Sequence, residues 1–593
     1  MDNKNEKKRT NRGLILVLAV LCMMVLCVAG SVLAKYAADV EAGKFQINLT
    51  DNAPFSYTVQ YMDGENELHV QQERDTKKSH VCTIIDTIPQ KNGYAFLGWS
   101  ANKNAETADY KAGDSITLNY GGDRVTTIKR TLYAVWKISM PILETGRNFN
   151  THTPAETTAV IFTDTKAPEG ATLTDVSYAK DGGIVAWMKD TVMYVSTQRS
   201  GVMVYANPDS SSMFSEKSDI TSIDTTNMDV SQVKNMHSMF YRCYGLTTLD
   251  VGGWDVSQVE SMGSMFYSCR ALATVGDLSG WNVASVTNMN SMFYLCQALA
   301  TVGDLSDWDV SQVTTMDSMF WFCQALTTVG DLSSWNVSQV TTMSDMFANC
   351  QELETLDIGS WDVSQVKSMS RMFYGCSGLT GLDIGSWNVS QVKRMNDMFY
   401  YCQKLETLDI ESWDVSQVMD MSGMFGSCQK LEALDIGSWN VSHVTTMSDM
   451  FANCQKLETL DIGSWDVSHV TTMGSMFGGC SGLTALDIGS WNVSQVMDMS
   501  RMFYGCSGLT ALDIGSWDVS QVMDMSGMFG SCQKLEALDI GSWDVSQVTT
   551  MGSMFYYCRN LILDCSAWDV SKVADYIMFN DGASNVIAPT WVN

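Results

Sequence analysis

The residues of this chain that could do chemistry come in rows. Thirteen copies of Met-Phe-x-x-Cys run from Met239, Phe240 and Cys243 to Met554, Phe555 and Cys558, with successive cysteines 26 or 27 residues apart. Such a row invites a metal or a disulfide reading. Zinc needs four ligands converging on a tetrahedron, whereas thiols in register along a stack form a line. Thiols on adjacent parallel coils would hold their Cβ atoms about 5 Å apart, beyond the ~3.5–4.5 Å that a disulfide uses. The row is therefore expected to be a set of buried thiols packing like small hydrophobes.

Carboxylates make two further rows. Asp357, Asp383, Asp409, Asp435, Asp461, Asp487, Asp513 and Asp539 share one position of the unit. A second position, directly after Trp, is filled by Asp255, Asn282, Asp309, Asn336, Asp362, Asn388, Asp414, Asn440, Asp466 and Asn492, then by Asp518, Asp544 and Asp569. Stacked carboxylates repel one another, and an Asn between two Asp lowers the charge and supplies an amide donor. Both rows are expected to accept hydrogen bonds from turn backbone N–H groups. Carboxylate oxygens also suit calcium, the one cofactor that stays open; no other is implied. The Trp row, Trp254 to Trp568, is expected at an edge of the core, with an exposed platform for sugars as the alternative.

Catalysis finds no support. His443 and His469 stand where Gln417 and Gln495 stand in other copies, and His69, His80, His152 and His237 lie in unlike contexts. No Gly-rich phosphate loop and no Gly-x-Ser-x-Gly elbow occurs, so no catalytic, cofactor-binding or metal residue is assigned and the chain is read as not an enzyme. A formal charge of −29 disfavours nucleic acid, whose phosphates it repels.

Rows of this kind require a scaffold that repeats. One unit runs from Met447 through Met450, Phe451, Cys454, Leu457, Leu460, Ile462, Trp465 and Val467 to Val470. A fixed period of this size predicts a solenoid in which no single unit folds alone. Met447, Met450, Phe451 and Cys454 fall at i, i+3, i+4 and i+7, which predicts one face of a short helix. Leu460 and Ile462 flank Asp461 as in a strand buried on one side. The expected fold class is an α/β repeat solenoid, leucine-rich-repeat-like, over residues 223–580, with a tail at 581–593. Met228 to Ser231 looks like a degenerate opening copy and Ile577-Met578-Phe579 like a truncated closing one. Three consecutive copies carry an extra glycine, Gly276, Gly303 and Gly330, as a bulge requires.

Upstream, Lys4, Lys7, Lys8, Arg9 and Arg12 precede an uncharged, mostly apolar run from Leu14 to Ala34. Residues 1–34 are expected to be a signal peptide or an uncleaved signal anchor, followed by a linker at 35–53. Residues 54–138 form a small β domain: Tyr57 to Tyr61 alternates with period two, Val81 to Ile85 is β-branched, and Arg130 to Trp136 is a last strand. Asp63-Gly64 and Asn92-Gly93 are turn signals, and Trp99, Tyr133 and Trp136 are expected core anchors. Residues 139–222 are a linker and a β-rich cap, with strands expected at Val160 to Asp164 and Val185 to Met188.

Gly93 to Trp99, Tyr110 to Asp114 and Leu132 to Trp136 resemble the internalin-type (Listeria–Bacteroides) repeat, a β-grasp module of cell-surface proteins. The recurring Met-Phe-x-x-Cys and Trp-Asp-Val-Ser segments resemble the BspA-like leucine-rich-repeat surface proteins of bacteria. That resemblance implies an exported, secreted or cell-surface adhesin that binds host matrix or cell-surface proteins, or other bacterial surface components. The alternatives are a passive or self-associating surface protein and a glycan-binding module. Positions that vary between copies are the solvent-side candidates for binding: Lys367, Lys393-Arg394, Met419-Asp420, Thr445-Thr446 and Trp321-Phe322.

Overall fold

The structure is a computed structural model that describes residues 55–591 apart from 76–78, 90, 92–93, 120–126 and 139. The export signal and linker expected over residues 1–53, and the Asn92-Gly93 turn, lie outside the described residues. The chain divides into two compact units, Met1–Ile142 with Ser177–Val185, and Leu143–Val176 with Ala186–Asn593.

In the first unit the strands are β1 (Phe55–Asp63), β2 (Asn66–Asp75), β3 (Ser79–Thr83), β4 (Tyr94–Ser100), β5 (Ser115–Asn119) and β6 (Thr127–Ile138). Four of them form a mixed sheet in the order β2-β1-β6-β4, with β1 parallel to β6 and its neighbours antiparallel; β3 and β5 pair separately. Gly64 turns β1 into β2 at φ +59°. The alternation in β1 buries Tyr57, Val59 and Tyr61, which meet Trp99, Leu132 and Val135 in the core. Of the three expected anchors only Trp99 is fully buried; Tyr133 and Trp136 are half-buried. A bulge in β4 between Phe96 and Gly98 leaves Leu97 without a partner in β6, and in β6 Leu132 and Val135 are both buried. Trp136 instead gives its indole N–H to Asp63 Oδ1 at 3.0 Å. No helix occurs among the described residues of this unit.

The second unit opens with a short helix, α1 (Gly146–His152), and β7 (Ala159–Thr163), β8 (Thr174–Asp175), β9 (Val185–Lys189), β10 (Val192–Ser196), β11 (Val204–Tyr205), β12 (Ser222–Asp224) and β13 (Met228–Asp229). Five of these strands form a sheet in the order β12-β7-β10-β9-β8, and β11 pairs with β13. Phe149, Phe162 and Phe214 pack together beneath it, and Phe214 stacks on Phe240 at 5.4 Å. Met213-Phe214 is thus one more copy of the repeat, with Lys217 in place of the cysteine. The bridge Asp209↔Asn235 starts the ladder, so the stack begins near residue 209 and not at 223. At the other end, Val586–Ile587 pairs with Leu563–Asp564 and Tyr576 stacks on Trp591 at 4.4 Å. Much of the expected tail at 581–593 therefore closes the last coil.

Each copy is a string of turns, and the expected helix is absent from all of them. In the unit from Met447, alternate N–H groups bond within the coil and to the next coil. Met450, Ala452 and Cys454 donate to the carbonyls three residues back at 3.0–3.3 Å, while Met447, Asp449, Phe451 and Asn453 donate to Thr472, Gly474, Met476 and Gly478 at 2.6–3.1 Å. The pattern needs left-handed backbone at Asp449 (φ +57°) and Asn453 (φ +60°), a conformation no helix tolerates. Asp, Asn, Ser and Gly fill these two positions in most copies, and they adopt it most readily. Met447, Met450, Phe451 and Cys454 are still all buried, because consecutive turns bring i, i+3, i+4 and i+7 inward as a helix would. The strands shrink to single-residue parallel bridges, one ladder running from Thr342 through Ser368, Arg394, Asp420 and Thr446 to Asp575. The inserted Gly276, Gly303 and Gly330 behave as expected, at φ +82°, +86° and +81°.

Candidate binding site

Whatever the repeat does must come from side chains that point out of it, and three of the expected rows turn out to serve the stack itself. Each thiol from Cys243 to Cys558 donates to the carbonyl of the Phe one coil earlier; Cys376 Sγ lies 3.1 Å from Phe347 O and Cys402 Sγ 3.2 Å from Phe373 O. All thirteen are buried and free. Burial pushes Cys376 and Cys428 up to about 12. The Trp rings stack on one another at 6.0–6.5 Å from Trp281 to Trp543. Each donates its indole N–H to a carbonyl one coil back, as Trp387 does to Ile358 O at 3.0 Å. With 2–8% of each residue from Trp254 to Trp568 exposed, these rings offer no face to a sugar. The Trp platform is therefore overturned.

The Asp/Asn row after Trp closes a turn in every copy: the side-chain Oδ1 accepts the N–H two residues on, at 3.1 Å for Asp466 and 3.2 Å for Asn440. Asp and Asn do the same work there, which explains their interchange. The Ser hydroxyl two residues on, and then its N–H, hold Asp466 below the usual carboxylate range. The other Asp row differs. Among the described residues no such bond is found for Asp357 to Asp539, which face solvent; the copies with the extra glycine close that turn, Asp304 accepting from Ser306 at 3.0 Å, and so do Asp250 and Asp564 near the two ends. No three His, Cys, Asp or Glu side chains converge as a metal set among the described residues.

The outward chemistry lies in the row directly after the buried Phe, the position of the solvent-side candidate Trp321. In successive copies it is Tyr241, Tyr267, Tyr294, Trp321, Ala348, Tyr374, Tyr400, Gly426, Ala452 and Gly478. The first four rings form a half-exposed stack at 4.8, 4.3 and 4.3 Å. Ala348 then interrupts it. Tyr374 and Tyr400 resume at 5.7 Å, with Tyr401 edge-on to Tyr400 at 4.6 Å, before Gly426 ends the series. A Cβ on Gly426 would meet the Tyr400 ring at 2.3 Å, so the ring lies over the space that this glycine leaves.

The interruption opens a groove of about 710 Å³ lined by Trp321, Phe322, Tyr374, Tyr400 and Tyr401 on the aromatic side. Asp345, Asp397 and Asp449 enter it from every second coil, together with Arg371 and Asn349. Arg371 forms a two-pronged pair with Asp345, Nε to Oδ1 at 3.1 Å and Nη2 to Oδ2 at 3.2 Å. Among the described residues neither Asp397 nor Asp449 has an ion pair; Asp397 accepts only from Asn396 Nδ2 at 3.0 Å. Burial pushes all three carboxyls above their ordinary range, and neighbouring carboxylates add to the effect. Burial, then Asp449, pushes the Tyr400 hydroxyl up to about 12.

Phe322 and Tyr401 sit at φ +62°. Ser427, Asn453 and Gly479 fill that left-handed position in some other copies and Arg242, Leu295 and Tyr557 in others, and a bulky residue there costs about 1–3 kcal/mol. Of the solvent-side candidates, Trp321 and Phe322 line the groove. Lys367, Lys393, Met419 and Thr445 form one hydrogen-bonded column outside it, each N–H bonding to the carbonyl one coil back at 2.9–3.0 Å. Ser422 and Ser448, two residues past Asp420 and Thr446, reach the groove edge. The signal that could have found the site was the run of aromatic residues after Phe, broken once by alanine.

Four overlapping segments, residues 208–328, 295–407, 379–485 and 479–590, match the family described as Mycoplasma protein of unknown function, DUF285. No curated protein sequence matches the chain. Several solved structures align with it, two of them as follows. A leucine-rich repeat protein from Bacteroides ovatus ATCC 8483 is 13% identical over 67% of this chain and 94% of that one, at a TM-score of 0.30. A leucine rich cell surface protein from Faecalibacterium prausnitzii A2-165 is 17% identical over 55% of this chain and 86% of that one, at a TM-score of 0.23.

Proposed function

We propose that this chain, which belongs to the DUF285 family, is an exported bacterial surface protein that binds other proteins through the outward face of its repeat stack. The basic and then apolar residues 1–34 would direct export, and the sheet of β1 to β6 would serve as an internalin-type spacer. The observation that carries the reading is the division of labour within each copy. The Met, Phe, Cys, Trp and Asx positions are committed to the stack, while the residue after Phe changes from copy to copy on an almost unchanged backbone. Variation carried on outward columns builds a surface that can be matched to a partner. The half-exposed ring stack and its groove are the part of that surface best suited to contact, since aromatic residues are enriched at protein interfaces.

The test is direct binding of the purified chain, by biolayer interferometry, to arrayed host matrix proteins and bacterial surface extracts, with surface biotinylation of intact cells to check exposure. Saturable binding to defined proteins supports the reading. Concentration-dependent polymers in sedimentation with no heterologous binding would replace it with a passive, self-associating surface layer.

A further inference from the structure

Building on that reading, we infer that the groove between Trp321 and Tyr401 is a docking site for a basic, extended segment of a partner protein, with arginine or lysine side chains laid between the aromatic rings and the carboxylates of Asp397 and Asp449. Charge complementarity is the first argument. Three carboxylates enter the groove against one guanidinium, and Arg371 is already engaged by Asp345. Two negative charges are left facing an aromatic wall, in a chain whose net charge is −29. A neutral sugar could stack on the rings but would leave both charges unbalanced. A cation placed over Tyr400, Tyr401 or Trp321 gains from the ring faces and the carboxylates together.

Spacing is the second argument. Asp345, Asp397 and Asp449 occupy every second coil, and single coil steps along the buried Phe column are 6.0, 5.6, 5.8 and 5.7 Å. Successive carboxylates are thus too far apart to share one small ion. The same interval is covered by three to four residues of an extended chain, at about 3.3 Å each. A segment running along the stack with basic residues four apart, on one face of the extended chain, would meet the carboxylates in turn.

The test uses the full chain and an acetylated, amidated peptide carrying three arginines, each separated by three glycine or serine residues. Its counterparts carry citrulline or glutamate in place of arginine. Isothermal titration should show binding of the arginine peptide alone, weakening as salt is raised. Affinity should fall about tenfold in Asp397→Asn/Asp449→Asn, and similarly in Tyr401→Ser/Phe322→Asn. The last pair restores residue types that the same backbone position already carries in other copies, so folding is preserved and is checked by circular dichroism. Asp461→Asn/Asp487→Asn, on the solvent row outside the groove, should leave affinity unchanged.

Equal weakening by both carboxylate pairs would reduce the effect to net charge and overturn the inference. So would undiminished binding in the groove variants, or binding of a neutral oligosaccharide in place of the peptide. If the groove variants still bind the array proteins as well as wild type, the groove inference fails while the surface-binding function stands. If wild type binds no array protein, the function itself fails.

Discussion

The thiol column makes the stack sensitive to alkali, by an amount that follows from its burial. From Cys269 to Cys558, twelve thiols are held above their ordinary range, chiefly by burial and, in seven of them, also by neighbouring thiols, while the hydrogen bond from the adjacent coil lowers them slightly. A group whose pKa is raised by folding contributes stability below its unfolded pKa and loses that contribution as pH rises toward the folded value. The unfolded pKa is about 8.5. At one unit above it the unfolded chain has shed most of its thiol protons and the folded chain has kept them. Each thiol then costs the fold about 1 kcal/mol, on the order of 15 kcal/mol for the column, as much as the whole stability of an ordinary domain. Urea unfolding at pH 7.5, 8.5 and 9.5, with phosphine reductant present throughout, should show a midpoint that falls steeply above pH 8.5. Replacing Cys350, Cys376, Cys402 and Cys428 by alanine removes a third of these thiols. The quadruple variant should start less stable at pH 7.5 yet lose stability with a slope about one-third smaller. A midpoint flat from pH 7.5 to 9.5, or an unaltered slope in the quadruple variant, would refute the buried column.

Three further outcomes follow from single contacts. Gly303→Ala places a Cβ 2.1 Å from Asp277 Oδ1 at φ +86° and should lower stability by about 1–3 kcal/mol; Gly280→Ala, with nothing within 4 Å, should leave the thermal midpoint unchanged. Asp466→Asn should melt like wild type and Asp466→Ala lower, because only the latter loses the turn closure to Ser468. Asp255, Asp309 and Asp466 have depressed pKa values, so their contribution is present above the ordinary carboxylate range and disappears as pH falls through the folded values. Changing all three to Asn should therefore flatten the acid limb of a stability–pH curve. Trp387→Phe leaves Ile358 O without its indole donor and should lower the urea-derived stability by about 1–3 kcal/mol.

The period, and with it the stack, was legible because twenty-six or twenty-seven residues always separate like from like. The burial of Met447, Met450, Phe451 and Cys454 was legible too, but the helix inferred from it was not there. Spacing at i, i+3, i+4 and i+7 records which side chains turn inward, and a chain of turns satisfies it as well as a helix does. The residues that discriminate are the polar ones between. Asp449 and Asn453 tolerate left-handed backbone, and a recurring pair of such residues four apart argues for turns. Residue type alone pointed to Tyr133 and Trp136 as anchors, whereas the fully buried positions of that strand are Leu132 and Val135. The groove was only half legible: Trp321 and Phe322 stood out as variable, but its carboxylates Asp397 and Asp449 lie 75 and 127 residues beyond Phe322. Only the stacking brings Asp397 and Asp449 to the same wall.

That dependence on stacking also explains how a site can exist on so regular a scaffold. Each Phe carbonyl is taken by the Cys N–H of its own coil and by the thiol of the next, and each indole N–H from Trp281 to Trp543 by a carbonyl one coil back. The interior is thus satisfied by contacts that recur in every copy and involve no outward side chain. The position after Phe is free to be Tyr, Trp, Ala or Gly because none of these alters a bond that holds the coils together. A gap such as Ala348 then opens a groove with no loop, insertion or change of fold. Function in such a chain is written by substitution on a fixed lattice, and a groove needs only three things in register: a ring column, one small residue that breaks it, and carboxylates that no neighbouring base pairs.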